Sequence, residues 1–216
     1  MKQVIIKMTA VLFAAVLSAA AMASVEDALV AYDRQDYAAA IKELSTLAQK
    51  GNADAQNILG FFYSEGKGIL RDYSEAVKWF QMSAGQGNVV GQKNLGLMYA
   101  NGQGVRKNYS EAAKWYRKAA EQGDAGAQVN LGAAYLDGQG VSKDYVEAAK
   151  WYRKAAEQGD EDAQLKLGSM YAEGKVVQQD YLEAAKWWRK AARQGNADAI
   201  KNLKKLPRTA KSPRNS

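Results

Sequence analysis

The chain repeats itself every 36 residues, and that period restricts its fold more than any other feature. Gly60, Gly96, Gly132 and Gly168 keep this spacing, as do Trp79, Trp115, Trp151 and Trp187, and Glu75, Glu111, Glu147 and Glu183. A fixed period of this length marks a unit that cannot bury its apolar face alone and has to stack on copies of itself. Four full units occupy residues 53–88, 89–124, 125–160 and 161–196. Residues 24–52 read as a degenerate N-terminal capping repeat, with Asp36-Tyr37 in place of the later Asp-Tyr pairs. Residues 197–206 read as the first half of a further unit, a C-terminal capping helix, and atypical end units are what a stack of repeats needs.

Each unit reads as two helices. The first carries Ala-Gln-x-x-Leu-Gly-x-x-Tyr, which sets Leu and Tyr on one face at i and i+4 while the glycine lets a neighbouring helix approach. The second begins at Asp72, Asn108, Asp144 or Asp180, each three residues before a glutamate, the spacing of a capping box. It ends at Gly87, Gly123, Gly159 or Gly195, and Asn88, Asp124, Asp160 or Asn196 then caps the next helix. Between the two helices lie Gly66 and Gly68, Gly102 and Gly104, and Gly138 and Gly140, whereas the fourth copy has Gly174 and then Val176, which predicts a stiffer or differently bent loop there. Trp79 and its equivalents are expected to fill the gap between paired helices, as core rather than as a ligand-stacking ladder.

The ends carry the charge. The formal net charge is +7, but Lys2 and Lys7 stand before residue 24, and Lys201, Lys204, Lys205, Arg208, Lys211 and Arg214 stand after residue 200. Without these eight the body is nearly neutral, which excludes a basic nucleic-acid-binding domain. Residues 1–23 pair two lysines with an apolar run and end in Ala21-Met22-Ala23, the pattern of a signal peptide cleaved after Ala23. A periplasmic or secreted protein is therefore expected. With no cysteine and no histidine, disulfides, thiol or imidazole catalysis and Cys/His metal sites are excluded, so its core alone must hold it together. No cofactor or metal is expected. Residues 207–216 read as a basic disordered tail that makes at most weak contact with an anionic envelope surface.

Leu131-Gly132, Tyr135, Gly138-Gln139-Gly140-Val141, Asp144-Tyr145, Glu147-Ala148-Ala149, Trp151-Tyr152-Arg153-Lys154-Ala155-Ala156 and Glu157-Gln158-Gly159 together resemble the Sel1-like repeat family, relatives of the tetratricopeptide repeat. The resemblance implies an all-α fold, a right-handed α-solenoid (superhelix) of stacked antiparallel helix pairs, about eleven helices in all. It further implies a scaffold or adaptor that binds a protein or peptide in a concave groove lined by the first helices; a monomer serving host interaction or envelope processes is expected. On tetratricopeptide geometry two rows face that groove: Asn57, Lys93, Val129 and Leu165, and Phe61, Leu97, Ala133 and Ser169. These give a mixed polar and apolar surface, aromatic at its N-terminal end, suited to an extended peptide or a partner helix.

Other chemistry finds little support in the residues. Lys114, Arg117 and Lys118, repeated as Lys150, Arg153 and Lys154, form a basic stripe that reads either as a phosphate site or as a solvated outer face near helix C-termini. The alternative function is a cell-envelope enzyme, such as a β-lactam- or peptidoglycan-acting hydrolase. Some cysteine-rich relatives are linked to β-lactams, but this chain lacks their cysteines. Glu65, Asp137 and Glu173 share one repeat position, Asn101 interrupts the row, and a spacing of one repeat exceeds the roughly 5 to 10 Å of a catalytic carboxylate pair. No Ser-x-x-Lys, Gly-x-Ser-x-Gly or P-loop motif is present, so no catalytic residue is assigned.

Overall fold

The computed structural model describes residues 24–176 and 178–207; the expected leader and residues 208–216 of the expected tail lie outside the described residues. Among the described residues the chain forms eleven α-helices and no strand. They are α1 (Val25–Asp33), α2 (Tyr37–Gln49), α3 (Ala53–Glu65), α4 (Tyr73–Gly85), α5 (Val89–Asn101), α6 (Tyr109–Glu121), α7 (Ala125–Asp137), α8 (Tyr145–Glu157), α9 (Glu161–Ala172), α10 (Tyr181–Arg193) and α11 (Ala197–Lys205). Each helix packs chiefly on its neighbours in sequence, so the molecule is an α-solenoid of helix pairs.

Caps fix the boundaries. Asn52, Asn88, Asp124, Asp160 and Asn196 each accept a hydrogen bond from the backbone N–H three residues on, opening the first helices. Asp72, Asn108, Asp144 and Asp180 each accept from two backbone N–H groups and open the second helices. The glutamate three residues later does not complete a capping box. The cap's own N–H already donates to the carbonyl of Tyr63, Tyr99, Tyr135 or Tyr171 in the preceding helix. The glutamate instead pairs with Lys78, Lys114, Lys150 or Lys186, at 2.6 to 3.3 Å. A full reciprocal box forms at Ser24 and Asp27, ahead of α1.

Within a unit, Leu59, Leu95, Leu131 and Leu167 are fully buried, each withdrawing apolar area worth about 2 kcal/mol from water. The glycine after each leucine seats a ring. A Cβ on Gly60, Gly96 or Gly168 would come within 2.6 to 2.8 Å of Phe80, Tyr116 or Trp188, and one on Gly132 within 3.1 Å of Tyr152. The residue after the tryptophan, not the tryptophan, therefore fills the gap between paired helices. Neighbouring residues on a helix point about 100° apart, so the two rings cannot share a face. The tryptophans join clusters that bridge the preceding unit and their own: Trp115 packs against the cluster of Ala76, Phe80, Leu95 and Met98, and Trp151 belongs to that of Ala112, Tyr116, Ala127 and Leu131.

A buried amide stitches each unit to the one before. Gln56, Gln92, Gln128 and Gln164 are at most 4% exposed. Each Nε2 donates to the carbonyl of Ala48, Ala84, Ala120 or Ala156 in the preceding second helix. Each Oε1 accepts from Gln86, Gln122, Gln158 or Gln194 of its own unit, at 2.7 to 3.0 Å. In α11 the equivalent residue is Ile200, where no second helix follows within the described residues. The inner loops dock as well: Gly104 and Gly140 have φ of 69° and 75°, and a Cβ there would collide with the carbonyl of Tyr73 or Tyr109. Val176 stands in this place in the fourth unit and does not take up the left-handed backbone, so that loop is bent differently.

Candidate functional site

Clefts run between successive first helices. At the N-terminal end a cleft of about 380 Å³ between α1, α3 and α5 is lined by Leu29, Tyr32, Asn57, Phe61, Val90 and Lys93, among others. A second cleft, of about 260 Å³, continues between α3 and α5 past Phe61 to Leu97, Asn101 and Glu65. Phe61 belongs to both. Leu29 and Val90 are each 43% exposed, Phe61 39% and Leu97 36%, so four large apolar side chains gather in solvent at one end of the solenoid. Asn94 donates to Asn57 Oδ1 at 2.9 Å and ties α5 to α3 beneath them. Lys93 pairs with Asp124 at 3.1 Å, which neutralises its charge. Lys67 donates to the Tyr32 hydroxyl at 2.7 Å, and this bond holds its pKa above the ordinary lysine value.

The C-terminal end differs in chemistry. A cleft of about 370 Å³ between α7, α9 and α11 contains Leu165 and Ser169, with Lys166, Lys175, Lys201 and Lys205 on its walls against Glu173 and Asp198. Glu173 pairs with Lys175 at 2.5 Å, and this hydrogen bond raises the lysine's pKa. Among the described residues Lys166, Lys201 and Lys205 have no ion-pair partner. Ser169 Oγ is occupied by the Leu165 carbonyl at 3.0 Å.

The eight residues expected in the groove thus fall into groups. Asn57, Phe61 and Lys93 share one cleft, Phe61 and Leu97 a second, and Leu165 and Ser169 a third. Ala133 lines a narrow cleft of about 130 Å³ with Tyr109 and Tyr116. Val129 is half-buried against the core of the last two units. Sequence reasoning missed Leu29 and Val90 at one end and the lysines at the other. A signal for part of this exists. Val90 departs from Asp54, Gly126, Asp162 and Asp198 at its repeat position, and Lys201 and Lys205 extend the two groove rows by one more period.

On the second helices the basic stripe is already engaged. Lys114 and Lys150 pair with Glu111 and Glu147. Arg117 and Arg153 donate to the hydroxyls of Tyr135 and Tyr171. Lys118 and Lys154 lie over the Trp115 and Trp151 rings at 4.1 and 4.2 Å. These contacts make the stripe an outer face that covers aromatic rings rather than an open phosphate site. Of the carboxylate row, Glu65 and Glu173 stand in separate clefts. Among the described residues no cluster of three or more metal-ligating side chains occurs, and no helix is long and apolar enough to cross a membrane.

Comparison with known proteins agrees with this architecture. The Sel1 repeat model matches residues 53–88, 89–124, 125–160 and 161–196. The fold is similar to that of a Sel1 repeat protein from Oxalobacter formigenes, 35% identical, with a TM-score of 0.82 over 88% of this chain and 79% of that one. It is also similar to a protective antigen of uropathogenic Escherichia coli strains, which displays an SLR fold, at 41% identity and a TM-score of 0.73. That match covers 74% of this chain and 34% of the antigen, so the chain spans about a third of its length. No curated protein matches the chain. Proteins built from Sel1 repeats are in general protein-interaction scaffolds, and with four consecutive matched units and a shared solenoid, this chain belongs to the Sel1 repeat family.

Proposed function

We propose that the protein is an exported scaffold that holds a protein or peptide partner along the clefts between its first helices. The observation that carries this reading is the group formed by Leu29, Phe61, Val90 and Leu97, exposed around two clefts that share Phe61. Contiguous exposed apolar side chains are costly in water unless a partner covers them, and a stacked solenoid presents them already ordered. Export is supported by the leader pattern of residues 1–23. Ser24 is the helix cap of α1, and its backbone N–H donates to Asp27 at 3.0 Å. Cleavage after Ala23 turns that N–H into an ammonium, whose charge-assisted bond to the same carboxylate offsets its repulsion from the positive end of the helix dipole.

A photo-crosslinking residue at Leu97, with a matched one at Lys118 on the outer face, tests this in living cells. The expected result is a discrete protein adduct at Leu97 alone, on a chain whose mass places its first residue at Ser24. Phe61→Asp with Leu97→Asp should abolish the adduct while helicity and melting stay close to wild type. Unfolding of that variant would make the two residues core, and equal adducts at both positions would remove the groove as the binding site. Adducts only on a chain that retains residues 1–23 would overturn cleavage of the leader.

A further inference from the structure

The groove changes character along its length, and that polarity specifies its occupant more narrowly than the repeats do. At one end stand Leu29, Phe61, Val90 and Leu97. At the other, four lysines face two acidic groups in one cleft, and Lys166, Lys201 and Lys205 are without ion-pair partners among the described residues. Lys205 occupies in α11 the repeat position that Phe61 occupies in α3, so both ends open on the same run of first helices. We propose, building on the groove reading above, that the partner segment is an acidic peptide. It carries an apolar anchor seated around Phe61 and a carboxylate cluster seated among Lys166, Lys201 and Lys205.

With Lys175 paired to Glu173, the other three lysines of this cleft outnumber its one remaining carboxylate, Asp198, and leave a net positive charge that an entering anion offsets. Opposite charge at this end therefore fixes the register and direction of the peptide, while the apolar end supplies the burial. Four repeat steps of about 10 Å separate Phe61 from Lys205, a span that roughly a dozen extended residues cover. The anchor and the carboxylates should thus lie about that far apart in the partner's sequence.

A phage-displayed library of random peptides about 16 residues long, enough to cover the span, panned against the full chain, tests this. Enriched sequences should combine an apolar residue with an Asp/Glu cluster about a dozen positions away. Synthetic copies should bind at least about tenfold more weakly to the Lys166→Glu, Lys201→Glu, Lys205→Glu variant, and more weakly as salt rises. Because glutamate near the C-terminus of α11 also opposes the helix dipole, the matching Lys→Gln variant is measured alongside and should lose affinity in the same direction. Enriched peptides without acidic bias, or acidic ones that bind both lysine variants as tightly as wild type, overturn the acidic partner. If those peptides still lose binding to Phe61→Asp with Leu97→Asp, the groove reading stands. Peptides indifferent to the latter variant overturn the groove reading itself, and no enrichment at all overturns both.

Discussion

Ser83 and Gly91 are a matched pair where the later units have two alanines. Ser83 is fully buried at the end of α4, and its hydroxyl donates to the Ala53 carbonyl at 2.7 Å. A Cβ on Gly91 would come 2.5 Å from that hydroxyl. The corresponding pairs are Ala119 and Ala127, Ala155 and Ala163, and Ala191 and Ala199, so the hydroxyl has been accommodated by removing a methyl from the facing helix. Gly91→Ala is expected to destabilise by about 1 to 2 kcal/mol, its clash exceeding the gain in helix propensity. Adding Ser83→Ala should return stability to within about 1 kcal/mol of wild type, since one hydrogen bond is exchanged for one better helix residue. Urea denaturation of the single and double variants measures this. A Gly91→Ala protein as stable as wild type would show that the helices separate freely, and the pair would have no meaning.

At the scale of elements, the glutamine of each first helix is the most constrained polar group. Its position in Ala-Gln-x-x-Leu-Gly is plain in the sequence, yet nothing there shows a polar residue to be buried between three helices. Gln128 bonds to the Ala120 carbonyl and to Gln158. Gln128→Leu keeps the shape but leaves that carbonyl without its side-chain donor, and should cost about 1 to 3 kcal/mol. Gln158 lies at the surface and can turn to water, so Gln158→Ala should cost less than about 1 kcal/mol. Thermal melts that rank these two variants the other way round would remove the ladder as the join between units. The same scale explains two misread signals. The capping glutamates were displaced by tyrosine carbonyls, and one residue of helical phase gives the gap beside the glycine to the residue after each tryptophan while the tryptophan packs between units; both depend on where the partner helix lies.

For the whole molecule, unfolding at high pH is linked to two buried phenols. Burial pushes Tyr116 up to about 12 and Tyr152 higher still, with the nearby Asp137 charge adding to the latter. The folded protein thus holds these protons more tightly than the unfolded chain, whose tyrosines titrate near 10. Their contribution is fully present below pH 10 and is lost as pH rises from there through about 12. Melting temperature should fall across that window, by a stability loss on the order of 2 kcal/mol from Tyr116. Phe80 occupies the same repeat position, so Tyr116→Phe with Tyr152→Phe should fold normally at neutral pH and show a shallower alkaline loss. An unchanged alkaline profile in that variant would place the sensitivity elsewhere.

The sequence by itself determined the units, their helices and their order. Caps, leucines and glycines recur because every copy has to satisfy the same free N–H groups and close the same helix pair, and those are local demands written at fixed spacing. It also placed Asn57, Phe61, Lys93 and Leu97 on the clefts between first helices, where their repeat position puts them. Only the tertiary structure decided the rest. Val129, like Ala133 and Leu165, packs against the core of the last two units. Leu29 reaches the first cleft from α1, and Lys201 and Lys205 reach the last from α11, both outside the four matched units. Period fixes what all copies share, whereas a groove between copies is set by the angle and distance at which different surfaces meet.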